Sequence, residues 1–365
     1  MRARAVAGLA LLALLGGALW WLAQRSAAAE AGGAAGVTAE AVAGTGGASA
    51  GGALAALGGP ATCLPCHAAV VAEWQESMHC RAFTDPQVRA PDQSDNFQKQ
   101  ECLPCHASRP IFEHGIEKDS RVLARVERRV DGIDCLSCHG LPEGVAASRS
   151  GLVAACRPAL RPELSTQQMC AACHNQHNTH DEWRASPAAT AGKDCMECHM
   201  ARVLRAGGEA GAPRGGRSHR FPGGRDRDFA LAGLSVTAQR SADGGSLHVS
   251  LANEFAGHNL PTDSRNRALD LVVTLLDARG VPLPPPAGEK REPGCETGTA
   301  RLRYRNPYRA SGDPSTQLPA GQSSVLDVPV PAGAASATVE LFYKLSPWVP
   351  DAEAHWTQRQ ELPLR

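Results

Sequence analysis

Five pentapeptides of the form Cys-x-x-Cys-His recur along this chain: CLPCH at 63–67, CLPCH at 102–106, CLSCH at 135–139, CAACH at 170–174 and CMECH at 195–199. Multiplying the chain's own Cys and His frequencies predicts roughly 0.02 such matches by chance. Ten of the 13 cysteines are used in them. Two thiols three positions apart on one helical turn can form thioethers to the two vinyl-derived carbons of a haem. The adjacent imidazole then turns under the macrocycle as the proximal iron ligand. The predicted cofactor is haem c, five per chain and covalent, with thioethers at Cys63, Cys66, Cys102, Cys105, Cys135, Cys138, Cys170, Cys173, Cys195 and Cys198. The proximal ligands are His67, His106, His139, His174 and His199.

Zinc knuckles pair two Cys-x-x-Cys motifs around one tetrahedral metal, and an odd number of motifs with a fixed following His does not answer that need. Disulfides within each motif fit an exported chain but leave five histidines unexplained. Five haems over 63–199 leave about 27 residues each, too few to wall each cofactor off separately. The porphyrins are therefore expected to be neighbours and to form much of the interior. That accounts for an aromatic content of only 4%.

The N-terminus supports export. Arg2 and Arg4 precede an uncharged, mostly apolar run from Ala5 to Ala23, followed by Ala27 to Ala29. The run is about 28 Å long as a helix, close to the hydrocarbon thickness of a bilayer. Trp20 and Trp21 lie where an interfacial aromatic belt would sit. The expectation is an uncleaved membrane anchor at 1–25, with cleavage at the small residues as the alternative. Residues 26–60 are nearly all small, the composition of a flexible linker. Formal net charge is zero, so nothing points to nucleic acid. Arg dominates the basic residues, either through compositional bias or as forks for carboxylate-like groups.

Eight histidines lie outside the pentapeptides: His79, His114, His177, His180, His219, His248, His258 and His355. Five of them would fill every iron and make an electron carrier; an open sixth position would allow chemistry on a small molecule. The first motif is followed by W-x-x-S-x-H (Trp74, Ser77, His79), and VDGIDCLSCHG, EWRASP…DCMECHM, SHRFPGG (218–224) and AGHNLPT (256–262) follow. With these the chain, over about residues 60–345, resembles the cytochrome c-554 and hydroxylamine-oxidoreductase-like multihaem cytochromes and a wider group of exported multihaem proteins with a C-terminal β domain. The resemblance implies that His79 is a distal ligand to another haem, and extends the role to His219 and His258. His114, eight positions after the second motif, is a fourth candidate, and His177 or His180 a fifth. On an alternating strand, His248 points away from the apolar face, and His355 lies in no motif.

A second W-x-x-S (Trp183, Ser186) continues into Pro187 and Ala188, so the apparent repeat keeps its distal His once. If no other His reaches the haem concerned, its iron is open. The nitrite-reducing multihaem enzymes carry a Cys-x-x-Cys-Lys motif, which does not occur here, and Tyr304, Tyr308 and Tyr343 all lie beyond the haem segment. Cys80, Cys156 and Cys295 remain outside the motifs.

After the Gly/Arg-rich stretch 206–228, LSVTA, SLHVSLAN, ALDLVVTLLDARG, SSVLDVPV and SATVELFYKL alternate or run β-branched between Gly, Pro and Asp turns. LDLVVTLL also reads as a buried helix, but Val and Thr favour strand. The expected fold class is α+β multidomain: a mostly helical or irregular multihaem domain at 61–205, then an immunoglobulin-like β-sandwich at 229–350 that contributes His258, and a tail at 351–365. The expected function is a pentahaem c-type cytochrome moving single electrons outside the cytoplasm, on the periplasmic or cell-surface side. Redox proteins or quinol-linked donors are its expected partners. The alternatives are an oxidoreductase acting on a nitrogen or sulfur oxyspecies at one five-coordinate haem, and an electron-transfer subunit of a larger multihaem complex.

Overall fold

Helices of four to seven residues are too short to persist in water without tertiary support. The N-terminal half is built mainly from such pieces, and four of them end on a motif histidine. In the computed structural model, which describes residues 58–88, 102–117, 119–206, 214–262, 267–285, 292–295, 297–307 and 312–364, these are α2 (Leu103–His106), α3 (Cys135–His139), α4 (Gln168–His174) and α7 (Cys195–His199). The expected anchor at 1–25, and the expected linker as far as residue 57, lie outside the described residues. No helix among the described residues is long and apolar enough to cross a membrane.

The longest helix, α1 (Pro60–Glu76), starts on a proline that needs no N–H partner and carries a second, Pro65, inside. The chain kinks at His67, where φ is −127° and ψ is 32°. Val71 and Trp74, three apart on one face, are its buried residues. Two further helices, α5 (Thr179–Arg184) and α6 (Pro187–Thr190), join α4 to α7. Asp134 and Asp194 cap α3 and α7: Asp134 accepts from the Ser137 N–H at 2.9 Å, and Asp194 from Met196 and Glu197 at 3.0 and 3.1 Å. A small sheet of β1 (Gly140–Leu141), β2 (Gly144–Ala147) and β3 (Pro158–Leu160) follows α3. The antiparallel pair β4 (Arg202–Arg205) and β5 (Arg214–Arg217) follows α7. The stretch read as a plain connection from 206 therefore supplies a strand, because Arg202, Arg205, Arg214 and Arg217 pair in register with two glycines between the last two.

Beyond α8 (Arg227–Ala232), seven antiparallel strands form two sheets: β10–β7–β6 and β12–β11–β8–β9. Their ranges are β6 Leu234–Arg240, β7 Ser246–Asn253, β8 Ala268–Leu276, β9 Ala300–Arg305, β10 Ser323–Pro329, β11 Ser336–Lys344 and β12 Trp356–Pro363. Leu247, Val249 and Leu251 of β7 and Val328 of β10 share one apolar core with Leu269, Leu271, Val273 and Leu275 of β8 and Val339 and Leu341 of β11. Together with the N-terminal helices this makes the chain an α+β protein. LDLVVTLL is a strand, buried on both faces because Asp270 and Val272 are covered as well. His248 points outward, as the alternation predicts.

The expected tail at 351–365 is instead largely the edge strand β12, paired with β11 from Tyr343–Trp356 to Ser336–Pro363. Its sequence, WTQRQELP, hides the strand because after Trp356 no further residue is fully buried. Lys344, 0% exposed, is enclosed on the outer side of this sheet by Asp351 at 2.8 Å and Asp270 at 3.5 Å, and it donates to the Val349 carbonyl. Arg301 and Arg303 grip the same Asp270. The arginine forks of the sequence are thus spent on carboxylates here, as they are at Arg205 with Glu73 and Arg225 with Asp85.

Candidate haem-binding site

The N-terminal half encloses a cavity of about 2030 Å³, beyond the usual few hundred to about 1,000 Å³ of a single small-molecule site. All five motif histidines line it, together with His79, His177, His180, His219 and His258. All ten motif cysteines line it too. The C-terminal sheets close one side with Leu269, Tyr343 and Trp356. Trp356 stacks on Tyr343 at 5.2 Å and donates its indole N–H to the Gly224 carbonyl at 2.8 Å, which holds the two halves together at this wall.

The imidazoles meet in pairs. His139 faces His219 with ring centroids 6.3 Å apart and planes 27° from parallel. His199 faces His258 at 6.3 Å and 14°. His79 stands 6.1 Å from His174, tilted by 47°. Two imidazoles on opposite sides of one iron, with metal–nitrogen bonds of about 2 Å and centroids about 1.1 Å behind the nitrogens, stand about 6.2 Å apart. The three observed spacings suit an iron between each pair. Direct stacking of rings would bring them closer.

The tautomers fit as well. His106, His139 and His199 place Nδ1 at 2.6–2.9 Å from the carbonyls of Ala82, Ala146 and Pro222. His219 and His258 place theirs at 3.0 and 2.9 Å from the carbonyls of Arg217 and Asn259. A carbonyl only accepts, so Nδ1 must carry the proton and Nε2 keeps its lone pair for a metal. Burial holds His199 and His219 down to about 4, so both are in the neutral, ligating form at neutral pH. These residues fit haem. Among the described residues no three metal-ligating side chains gather as a zinc site requires, and all 13 cysteines, including Cys80, Cys156 and Cys295, are free of disulfides.

Contacts between motifs show how close the attachment points lie. The Cys63 side chain lies close to that of Cys135, and the Cys170 side chain close to that of Cys195. Each contact joins the first cysteine of one motif to the first cysteine of another. Cys105 approaches the Gln176 side chain at 3.6 Å, bringing the second motif beside His177. Phe221 lies 4.3 Å from His79 and 5.7 Å from His219 by ring centroids, and it adopts a positive φ of 46° that bulky side chains seldom accept.

His114 is not brought to the others. It does not line the cavity, and its Nε2 lies 3.6 Å from the Glu113 carboxylate. The short 3-10 turn Ile111–Glu113 carries it away. His248 and His355 are outside the lining too. His177 sits in the turn before α5 and His180 inside it, and both reach the cavity. Sequence reasoning missed the carbonyls that orient the rings, because a backbone acceptor leaves no residue-type signal.

A family model described as cytochrome c554 and c-prime matches residues 62–140. Comparison with curated proteins gave no match. Among solved structures, the chain is similar to a penta-heme cytochrome c552 from Thermochromatium tepidum, with 17% identity and a TM-score of 0.58, over 82% of this chain and 97% of that one. At that identity the likeness is one of fold.

Proposed function

We propose that this chain is a multihaem c-type cytochrome that carries five haems and passes single electrons between redox partners outside the cytoplasm, a reading supported by the family match and the structural likeness. The observation that carries the reading is the set of facing imidazole pairs at 6.1–6.3 Å, each pair combining one motif histidine with one histidine from outside the motifs. Haem c, held by the motif cysteines and these histidines, would supply one-electron iron chemistry. The assignment gives His79 to the iron of His174, His219 to that of His139 and His258 to that of His199. The contact of Cys105 with Gln176 supports His177 or His180 for the iron of His106.

The chain's own groups serve that role by holding still. Backbone carbonyls fix the ring planes, burial keeps the imidazoles neutral, and the fold sets the first cysteines of paired motifs close together, Cys63 by Cys135 and Cys170 by Cys195. The C-terminal sheets support the reading of an immunoglobulin-like sandwich. Lettered along the chain, the strands run A-B-E in one sheet and D-C-F-G in the other, with the fourth strand on the C-F-G side. The arginine-led apolar run at the N-terminus supports a membrane tether and a periplasmic or cell-surface location.

Mass measurement of the denatured full chain tests the haem count, with apoprotein plus five porphyrins expected. Electron paramagnetic resonance of the oxidised protein should be dominated by low-spin ferric signals. A bare apoprotein mass, or a mostly high-spin spectrum, overturns the reading.

A further inference from the structure

Some arginines of the β4–β5 ribbon are left over from the ion pairs of the fold. Arg205 is spent on Glu73, with contacts of 2.9 and 2.6 Å, and Arg217 on Glu197 at 2.6 Å. Arg202 and Arg214 of the same ribbon are exposed and have no carboxylate partner among the described residues. Arg149 is exposed and in the same position. It donates to the Gly215 carbonyl at 3.2 Å, which ties the loop after β2 to the ribbon.

Aliphatic side chains stand among these guanidiniums. Val153 is 99% exposed, Leu204 79% and Leu152 43%. Leu204 is paired with Gly215 in the ribbon, so no opposing side chain covers it. An apolar centre with a charged rim marks a surface built for a partner. The patch also lies over one facing pair of imidazoles. The loop continues from β2, whose Ala146 carbonyl orients His139, and the ribbon ends on Arg217, whose carbonyl orients His219. Arg149, Leu152, Val153 and Arg214 line the cavity as well. Residues that meet solvent on this face thus reach the cavity on the other.

We propose that this patch is the docking surface for a redox protein with an acidic face, which exchanges electrons with the haem between His139 and His219. The proposal rests on the pentahaem carrier reading. Guanidiniums without internal partners steer a molecule of opposite charge, and a small aliphatic centre makes a contact weak enough to release. An anionic bilayer offers the same charge but accepts no electron, so the position on the cavity wall favours a protein.

The test uses the full-length, haem-loaded, oxidised protein, with reduced flavodoxin, an acidic one-electron protein, as the probe. One electron passes from the anionic flavin hydroquinone, which becomes the neutral semiquinone, to a ferric haem, which becomes ferrous, and no proton moves. The second-order rate in stopped flow should fall as salt rises. At low salt it should drop about tenfold in Arg149→Gln/Arg202→Gln/Arg214→Gln, with a flatter salt dependence, and stay within about twofold in Arg149→Lys/Arg202→Lys/Arg214→Lys. Reduction by flash-generated lumiflavin semiquinone, small and neutral, should stay within about twofold in every variant, which separates lost docking from a damaged fold. An unchanged flavodoxin rate in the Gln variant, or a wild-type rate indifferent to salt, overturns the docking surface and leaves the electron carrier standing. Sedimentation with anionic lipid vesicles that the Gln variant loses, while its flavodoxin rate is unchanged, makes the patch a lipid surface and overturns the proposal. A mass lacking the porphyrins overturns the carrier reading itself.

Discussion

The indole N–H of Trp74 donates to the Ile133 carbonyl at 2.7 Å, across 59 residues of chain. Ile133 immediately precedes Asp134, the cap of α3, so a tryptophan seven residues after the motif at 63–67 holds the start of the helix that presents His139. The arrangement recurs: Trp183 donates to the Lys193 carbonyl at 2.8 Å, and Lys193 immediately precedes Asp194, the cap of α7. In each unit the first cysteines of the two motifs also lie close together, Cys63 with Cys135 and Cys170 with Cys195. The repeat visible as W-x-x-S is thus a repeated device that joins two motifs into one unit.

Replacing these indoles separates a hydrogen bond from a packed ring. Trp74→Phe should cost about 1–3 kcal/mol, because a half-buried carbonyl beside the cavity loses its donor. Trp183→Phe should cost less, because that bond lies at the exposed surface and water can replace the donor. Thermal unfolding of the two haem-loaded variants gives the comparison. Equal losses would mean that the indole N–H does not position the caps.

The two caps should differ in the same direction. Asp134 is 2% exposed and holds Arg125 at 3.2 Å and Arg128 at 2.8 Å, in addition to capping α3. Removing it strands the buried Arg125 guanidinium, so Asp134→Ala should cost about 3–5 kcal/mol. Asp194 is only half-buried and makes cap bonds alone, so Asp194→Ala should cost about 1 kcal/mol. Denaturant titration of each holoprotein measures both values. A smaller loss for Asp134→Ala would show that the arginines are not held by that carboxylate.

Much of this was legible because it is local in sequence. The attachment motif is five residues long, and the strand alternation of SLHVSLAN places Leu247, Val249 and Leu251 inward and His248 outward from sequence alone. The distal roles of His79, His219 and His258 came from a resemblance; the structure places each of these rings 6.1–6.3 Å from a motif imidazole. What escaped depends on long-range geometry. His114 is close to the second motif in sequence, but the turn at Ile111–Glu113 takes it out of the cavity. The missing second W-x-x-S histidine concerns the motifs at 170–174 and 195–199, and the imidazoles of both face another ring, His174 that of His79 and His199 that of His258. The strand at Trp356–Pro363 escaped because an edge strand with a polar outer row lacks the apolar period that reveals a central one.

The C-terminal sheets carry an acid-sensitive clamp. Burial alone would raise the proton affinity of Asp351, but hydrogen bonds from Arg301, Lys344 and Thr297 together outweigh it and hold the carboxyl down to about 2. An unfolded Asp titrates near 3.9, so the folded state binds fewer protons between these values and the clamp contributes about 2 kcal/mol at neutral pH. The sign follows directly. The contribution is complete above about pH 4, fades as pH falls, and is gone below about pH 2. Calorimetry of the wild-type and Asp351→Asn proteins should therefore show a lower Tm for the variant at pH 7 and a gap that narrows as the pH falls from 4 towards 2. A gap that stays constant over that range would mean that packing around residue 351, and not its charge, holds Lys344 in place.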